Sequence, residues 1–189
     1  MFIQTELTPN PKTVKFIPGK EVSPQKNVTY KDILEAENSP LAKKLFLIDG
    51  IDSVFLGSDF ISITKTDNFE WQVLKPLILS QVMQHYMSDE NVIDEIKETA
   101  PKETASVEVN AEDKDIVTQI EEILETRVRP SVAGHGGDIV FHGYSDGIVE
   151  LGLRGACSGC PSSIATLKTG VENMLKHYIP EIMEVKEVL

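Results

Sequence analysis

The chain has 189 residues, 41% hydrophobic and 25% charged, an ordinary profile for a soluble globular protein with one large domain or two small ones. Eighteen Lys and Arg against 30 Asp and Glu give a net charge of −12, which argues against a nucleic-acid partner, because neutralising phosphates needs clustered basic residues. No apolar run approaches the roughly 18 residues that span a bilayer, so no membrane partner is expected.

The opening Met1-Phe2-Ile3-Gln4-Thr5-Glu6-Leu7 has no basic or apolar region of a secretory signal and no Arg-rich character of a transit peptide. A cytosolic protein is the expectation, with a mature organellar protein as the alternative. Phe2 to Leu7 and Thr13 to Ile17 read as two short strands around the turn cluster Thr8-Pro9-Asn10-Pro11, the second stopped by Pro18-Gly19. Pro40 after Ser39 marks a helix start, the helix continues to Ile48, and Asp49-Gly50 closes it. Ile51 to Leu56 and Phe60 to Lys65 flank Gly57-Ser58-Asp59, a hairpin signal. Trp71 to Met87 carries Val73, Leu74, Leu77, Ile78, Val82, Met83 and Tyr86 at helical spacing, with Pro76 predicting a kink or a late start.

The stretch 88–110 holds seven acidic residues and two lysines, contains Pro101 and has no aromatic residue. It reads as a flexible, self-repelling linker between domains at 1–87 and 111–189. After it, Ile116, Ile120, Ile123, Leu124 and Val128 line one face of an amphipathic helix whose other face is acidic, and Pro130 is expected to stop it. Gly134-His135-Gly136-Gly137-Asp138 reads as a flexible loop. Ile139 to Tyr144 and Ile148 to Leu153 are strands around Ser145-Asp146-Gly147. Pro161 to Tyr178 is a helix with Ile164, Leu167, Val171, Met174 and Leu175 facing inward, and Ile182 to Val188 alternates as a last strand. The predicted class is α+β: two small α/β-sandwich-like domains, ββαββα and αββαβ, joined by a flexible acidic linker.

Cys157 and Cys160 are the only two cysteines, in Ala156-Cys157-Ser158-Gly159-Cys160-Pro161 between a strand and a helix. Gly152, Gly155 and Gly159 let the backbone approach whatever the sulfurs bind. Cys160 is expected at the helix N-cap, where the amides and the dipole lower a thiol pKa. Thiolate is both the metal-ligand form and the nucleophile of disulfide exchange, so these electrostatics fit three chemistries. One is a dithiol-disulfide oxidoreductase, although the thioredoxin architecture places its CxxC early in a βαβ unit with more parallel strands following. The second is a zinc-stabilised interaction module, its other ligands His135 and His142 or a second copy of the pair; none of His85, His135, His142 and His177 is assigned as a ligand. The third is an iron–sulfur cluster, for which two thiolates per chain suffice only where two chains meet near a two-fold axis.

Gly136-Gly137-Asp138-Ile139, Gly147-Ile148-Val149, Leu151-Gly152-Leu153 and Gly155-Ala156-Cys157-Ser158-Gly159-Cys160-Pro161-Ser162-Ser163, with the preceding Arg127-Val128-Arg129-Pro130, closely resemble the C-terminal domain of NifU and the Nfu proteins. Phe2-Ile3-Gln4-Thr5-Glu6, Thr8-Pro9-Asn10-Pro11 and on to Phe16 resemble the N-terminal domain of mitochondrial and proteobacterial Nfu proteins. The resemblance implies a non-enzymatic scaffold and carrier. It implies a [4Fe–4S] cluster held by Cys157 and Cys160 of two subunits in a homodimer, received from upstream assembly proteins and passed to apo iron–sulfur proteins. Two thiolates per chain also permit a [2Fe–2S] centre. For the cysteine-free N-terminal domain the resemblance implies partner recognition or regulation, and for the whole chain a bacterial cytoplasm or, in a mature eukaryotic form, the mitochondrial matrix.

Overall fold

A computed structural model describes residues 2–88, 90–94, 113–158 and 161–188, with side chains from 168 onward in the last segment. The chain divides into two compact units, Met1–Thr99 and Ala100–Leu189, and each is α+β.

In the first unit β1 (Gln4–Leu7) and β2 (Thr13–Ile17) form the expected antiparallel hairpin. A short strand that the sequence pattern did not predict follows, β3 (Val28–Tyr30). At three residues it is too short for a periodic signal, and its pairing with the distant Val54–Leu56 segment holds it. Helix α1 (Pro40–Phe46) begins where Ser39 and Pro40 predicted: the Ser39 hydroxyl accepts from the Ala42 amide at 3.1 Å, and Pro40 takes the first helical position. Strands β4 (Ile51–Leu56) and β5 (Ile61–Lys65) form the predicted hairpin, and the sheet order is β1-β2-β5-β4-β3, antiparallel throughout.

Helix α2 (Trp71–Met87) starts at Trp71, so Pro76 marks no late start. Its buried stripe is Leu74, Ile78, Val82 and His85, an i, i+4, i+8, i+11 line. Val73 and Leu77, also at helical spacing, are 59% and 49% exposed. Two adjacent apolar lines run along this helix, and the sheet takes only one.

The expected linker start at Ser88 also differs. The rest of 88–110 lies outside the described residues, but its described opening packs on the first unit. The Ser39 hydroxyl donates to the Val92 carbonyl at 2.6 Å, and the Asp94 amide donates to the Asn38 carbonyl at 2.8 Å. Lys44 Nζ meets Glu90 at 2.6 Å, and Val92 and Ile93 lie against the core. Apolar residues in an acidic stretch are what carry the chain back onto the domain.

The second unit opens with α3 (Lys114–Ile123), whose outer face is acidic. The helical path does not stop at Pro130. It continues through a π-helical turn, Leu124–Val128, into α4 (Arg129–Gly134). Proline lacks an amide and its ring collides with the carbonyl four residues back in a regular α-helix. The wider π turn relieves that clash and lets the chain pass. Then come β6 (Gly137–Ser145), β7 (Ile148–Gly155), α5 (Pro161–Tyr178) and β8 (Glu184–Glu187). Asp146 and Gly147, at φ 49° and 79°, make the β6–β7 turn, where both central residues need the left-handed region. The sheet order is β6-β7-β8, with β6–β7 antiparallel and β7–β8 parallel across the α5 crossover. Both outer strands are tended by side chains. Arg129 Nε donates to the Ile139 carbonyl of β6 at 3.2 Å, and Glu172 on α5 accepts from the Val185 amide of β8 at 3.1 Å.

His85 is fully buried, and among the described residues neither ring nitrogen has a hydrogen-bond partner. Glu90 Oε2 stands 3.8 Å from Nδ1. Burial first, and the Lys44 charge second, hold its pKa below the ordinary value. The unfolded chain therefore takes up the proton first, so the contribution is full above about pH 6.5 and is lost as pH falls below it, by at most about 1.4 kcal/mol per pH unit. Denaturant unfolding followed by the fluorescence of Trp71, the chain's one tryptophan, is expected to show lower first-unit stability at pH 5.5 than at pH 7.5. His85→Leu should flatten that difference.

Candidate functional site

The cysteine loop leaves β7 at its C-terminal end and enters α5 at Pro161. Antiparallel pairing sets Gly137, the first residue of β6, opposite Gly155, the last of β7. Gly155 turns the chain at φ 65°, and Gly136 does so at φ 78°. The Ala156 amide donates to the Gly136 carbonyl at 3.0 Å, and the Ser158 amide to the Gly155 carbonyl at 3.1 Å. The expected Gly134–Asp138 loop is thus short: α4 ends at Gly134, two residues turn, and β6 begins at Gly137.

Cys157 is 1% exposed and belongs to the apolar core of the second unit, with Val128, Val132 and Ile139 among its members. Gly137 makes the room for it. A Cβ on Gly137 would stand 2.7 Å from Cys157 Sγ and 2.7 Å from the Arg154 carbonyl oxygen. The sulfur therefore occupies space that any side chain at 137 would claim. Cys160, and with it the expected N-cap placement, lies outside the described residues.

The histidines weighed as zinc ligands do not gather at Cys157. His135 is exposed in the turn after α4. His142 is the extra residue where the β6–β7 register shifts, and its ring lies over Gly152, whose missing side chain makes the room. His177 is exposed beside Tyr178, their ring centroids 5.0 Å apart. Among the described residues no three His, Cys, Asp or Glu side chains form a group able to hold a metal.

Charge behind the loop is organised by Arg129. Its guanidinium contacts Glu125 one turn earlier and stands 3.5 Å from Asp138 Oδ1. Asp138 is buried and is the cross-strand partner of Arg154. The Arg-Val-Arg-Pro and Gly-Gly-Asp runs are therefore two ends of one link, which ties the helical layer to the first turn of β6. Gly-Gly could have signalled a close approach, but nothing local to it names the sulfur it approaches.

The comparisons with known proteins cover both units. Residues 3–89 match the family model described as scaffold protein Nfu/NifU N terminal, and residues 120–186 match the NifU-like domain. NifU-like protein 5, mitochondrial, of Arabidopsis thaliana is 47% identical over 189 residues, 99% of this chain and 68% of that protein. NFU1 iron–sulfur cluster scaffold homolog, mitochondrial, of Homo sapiens is 46% identical over 191 residues, 100% of this chain and 72% of that protein. The chain spans 62 to 72% of the length of such relatives. A solution structure of a NifU-like protein from Saccharomyces cerevisiae aligns at 28% identity with a TM-score of 0.47, covering 51% of this chain and 87% of that one.

Arg129→Ala would leave the buried Asp138 carboxylate without its guanidinium and the Ile139 carbonyl without a donor. Loss of about 2 kcal/mol of second-unit stability is expected, measured by far-ultraviolet circular dichroism against denaturant.

Proposed function

The chain belongs to the NifU/Nfu family of iron–sulfur cluster scaffold proteins, and on that premise we propose that it carries a [4Fe–4S] cluster between two copies of itself, each supplying Cys157 and Cys160. The observation that carries this is the position of the chain's only two cysteines. Both fall inside the matched NifU-like domain, at the junction of β7 and α5. Clusters of this type ordinarily take four protein thiolates, and one chain has two. A second copy related by a two-fold axis completes the set.

The cluster is cargo. A site split between two chains can exchange its thiolates one at a time for those of an acceptor, and that suits delivery to apo-proteins better than permanent electron transfer. Upstream assembly proteins would supply the cluster by the same exchange in reverse. No substrate is turned over, so the role is not enzymatic. The first unit has no cysteine and would serve partner recognition or regulation. Of the two locations expected from the sequence, the mitochondrial one is what the relatives' names support.

Anaerobic reconstitution with iron and sulfide, followed by size analysis and Mössbauer spectroscopy, tests this directly. About four irons and four sulfides per dimer are expected, with loss of the cluster in Cys157→Ser and in Cys160→Ser alike. A monomer that retains a stable cluster would sink the bridged dimer. Thioredoxin-like disulfide reductase turnover, or zinc that resists chelators, would redirect the cysteine pair to the other two chemistries.

A further inference from the structure

The segment Glu90–Asp94 runs along α1 in the reverse direction. Glu90 meets Lys44 Nζ at 2.6 Å in the last turn of that helix. The Val92 carbonyl accepts from the Ser39 hydroxyl at 2.6 Å at the N-cap, and the Asp94 amide donates to the Asn38 carbonyl at 2.8 Å just before it. Val92 and Ile93 lie against the core. The matched N-terminal domain covers residues 3–89, and the NifU-like match begins at 120. The strap therefore falls outside both, whereas Asn38, Ser39, Lys44 and His85, which it meets, all belong to the matched domain.

The receiving side is organised by the domain itself. Tyr30 donates to Asn38 Oδ1 at 3.0 Å and so holds that side chain. The fully buried Ser39 accepts from the Ala42 amide at 3.1 Å as the cap of α1. That bond uses a lone pair of the hydroxyl and leaves its proton for a carbonyl. His85, also fully buried, has Nδ1 3.8 Å from Glu90 Oε2, and among the described residues neither ring nitrogen has a hydrogen-bond partner. A cation, a hydroxyl donor, a carbonyl acceptor and an apolar seat in one line recognise an extended segment with a carboxylate two residues before an apolar pair. None of these contacts requires the segment to be part of the same chain.

We propose that this face of the first unit, from Lys44 to Asn38, is a docking groove for an extended acidic–apolar segment of a partner protein, and that the chain's own Glu90–Asp94 occupies it as an internal stand-in. The inference rests on the function proposed above, in which the first unit serves partner recognition, and it names the chemistry of what is recognised. A strap in cis competes at an effective concentration set by its short tether. Apparent affinity for the partner falls by the fraction of copies with the groove open. A segment with the same pattern and further contacts displaces the strap, and weaker ones are refused.

The test titrates the acetylated, amidated peptide Glu-Asn-Val-Ile-Asp into the isotope-labelled full chain and follows amide chemical shifts, which detect weak binding. Val92→Ser together with Ile93→Ser removes the apolar hold of the strap. In that variant shifts centred on Asn38, Ser39 and Lys44 are expected, with an apparent affinity roughly tenfold higher than in the wild-type chain. Equal affinities, shifts centred elsewhere, or no shifts in either chain would overturn the groove. The same peptide with Lys in place of Glu should lose binding; if it binds as well, Lys44 is not selecting a carboxylate and the proposal fails. If the double variant does not fold, Glu90→Lys, which sets two like charges together at Lys44, takes its place with the same expectations. Wild-type reconstitution run in parallel separates the two ideas. A cluster without peptide shifts sinks the groove alone, whereas peptide shifts without a cluster sink the scaffold function and leave the groove standing.

Discussion

Only a residue without a side chain can stand at 137, because Cys157 Sγ and the Arg154 carbonyl oxygen already occupy the place of a Cβ. That close approach governs the second unit. It sets how near the start of β6 comes to the end of β7, and hence the pairing of Gly137 with Gly155. It brings the turn after α4 within reach of the Ala156 amide. It also decides that one sulfur of the pair lies among apolar side chains.

The helical layer is fitted to this approach. The helical path does not end at Pro130, and Arg129 sits at the first residue of α4. The π turn at Leu124–Val128 carries the helix past the proline, and Arg129 then reaches Asp138 and the Ile139 carbonyl. A buried carboxylate is costly unless a charge and hydrogen bonds compensate it. Placing Asp138 beside the turn and Arg129 opposite it therefore specifies a single seating of helix on strand.

Much of the fold was legible because local chemistry decided it. Ser39-Pro40 caps and starts α1, Asp146-Gly147 turns the β6–β7 hairpin, and the apolar spacing of 161–178 makes α5. What local chemistry could not show depends on distant partners. Strand β3 exists through its pairing with β4, and Leu77 faces outward because the sheet takes the neighbouring line of α2. Val92 and Ile93 sit in an acidic run that reads as linker, yet the first core claims them. The cysteine motif marked the site, and its Gly-rich frame pointed to close approach. That the approach is of a backbone to a sulfur follows from the β6–β7 register, which no single stretch of sequence encodes.

The two outer strands of the second sheet have a further consequence. An uncovered strand edge is a template on which a second copy can extend the sheet. Here the Arg129 guanidinium occupies a carbonyl of β6 and the Glu172 carboxylate occupies an amide of β8. Strand β8 is also only four residues long, with Glu184, Lys186 and Glu187 exposed along it. Edges interrupted in this way resist pairing with the same edge of another copy. On this sheet, the run of free backbone groups that another chain could pair with is shortened at both sides.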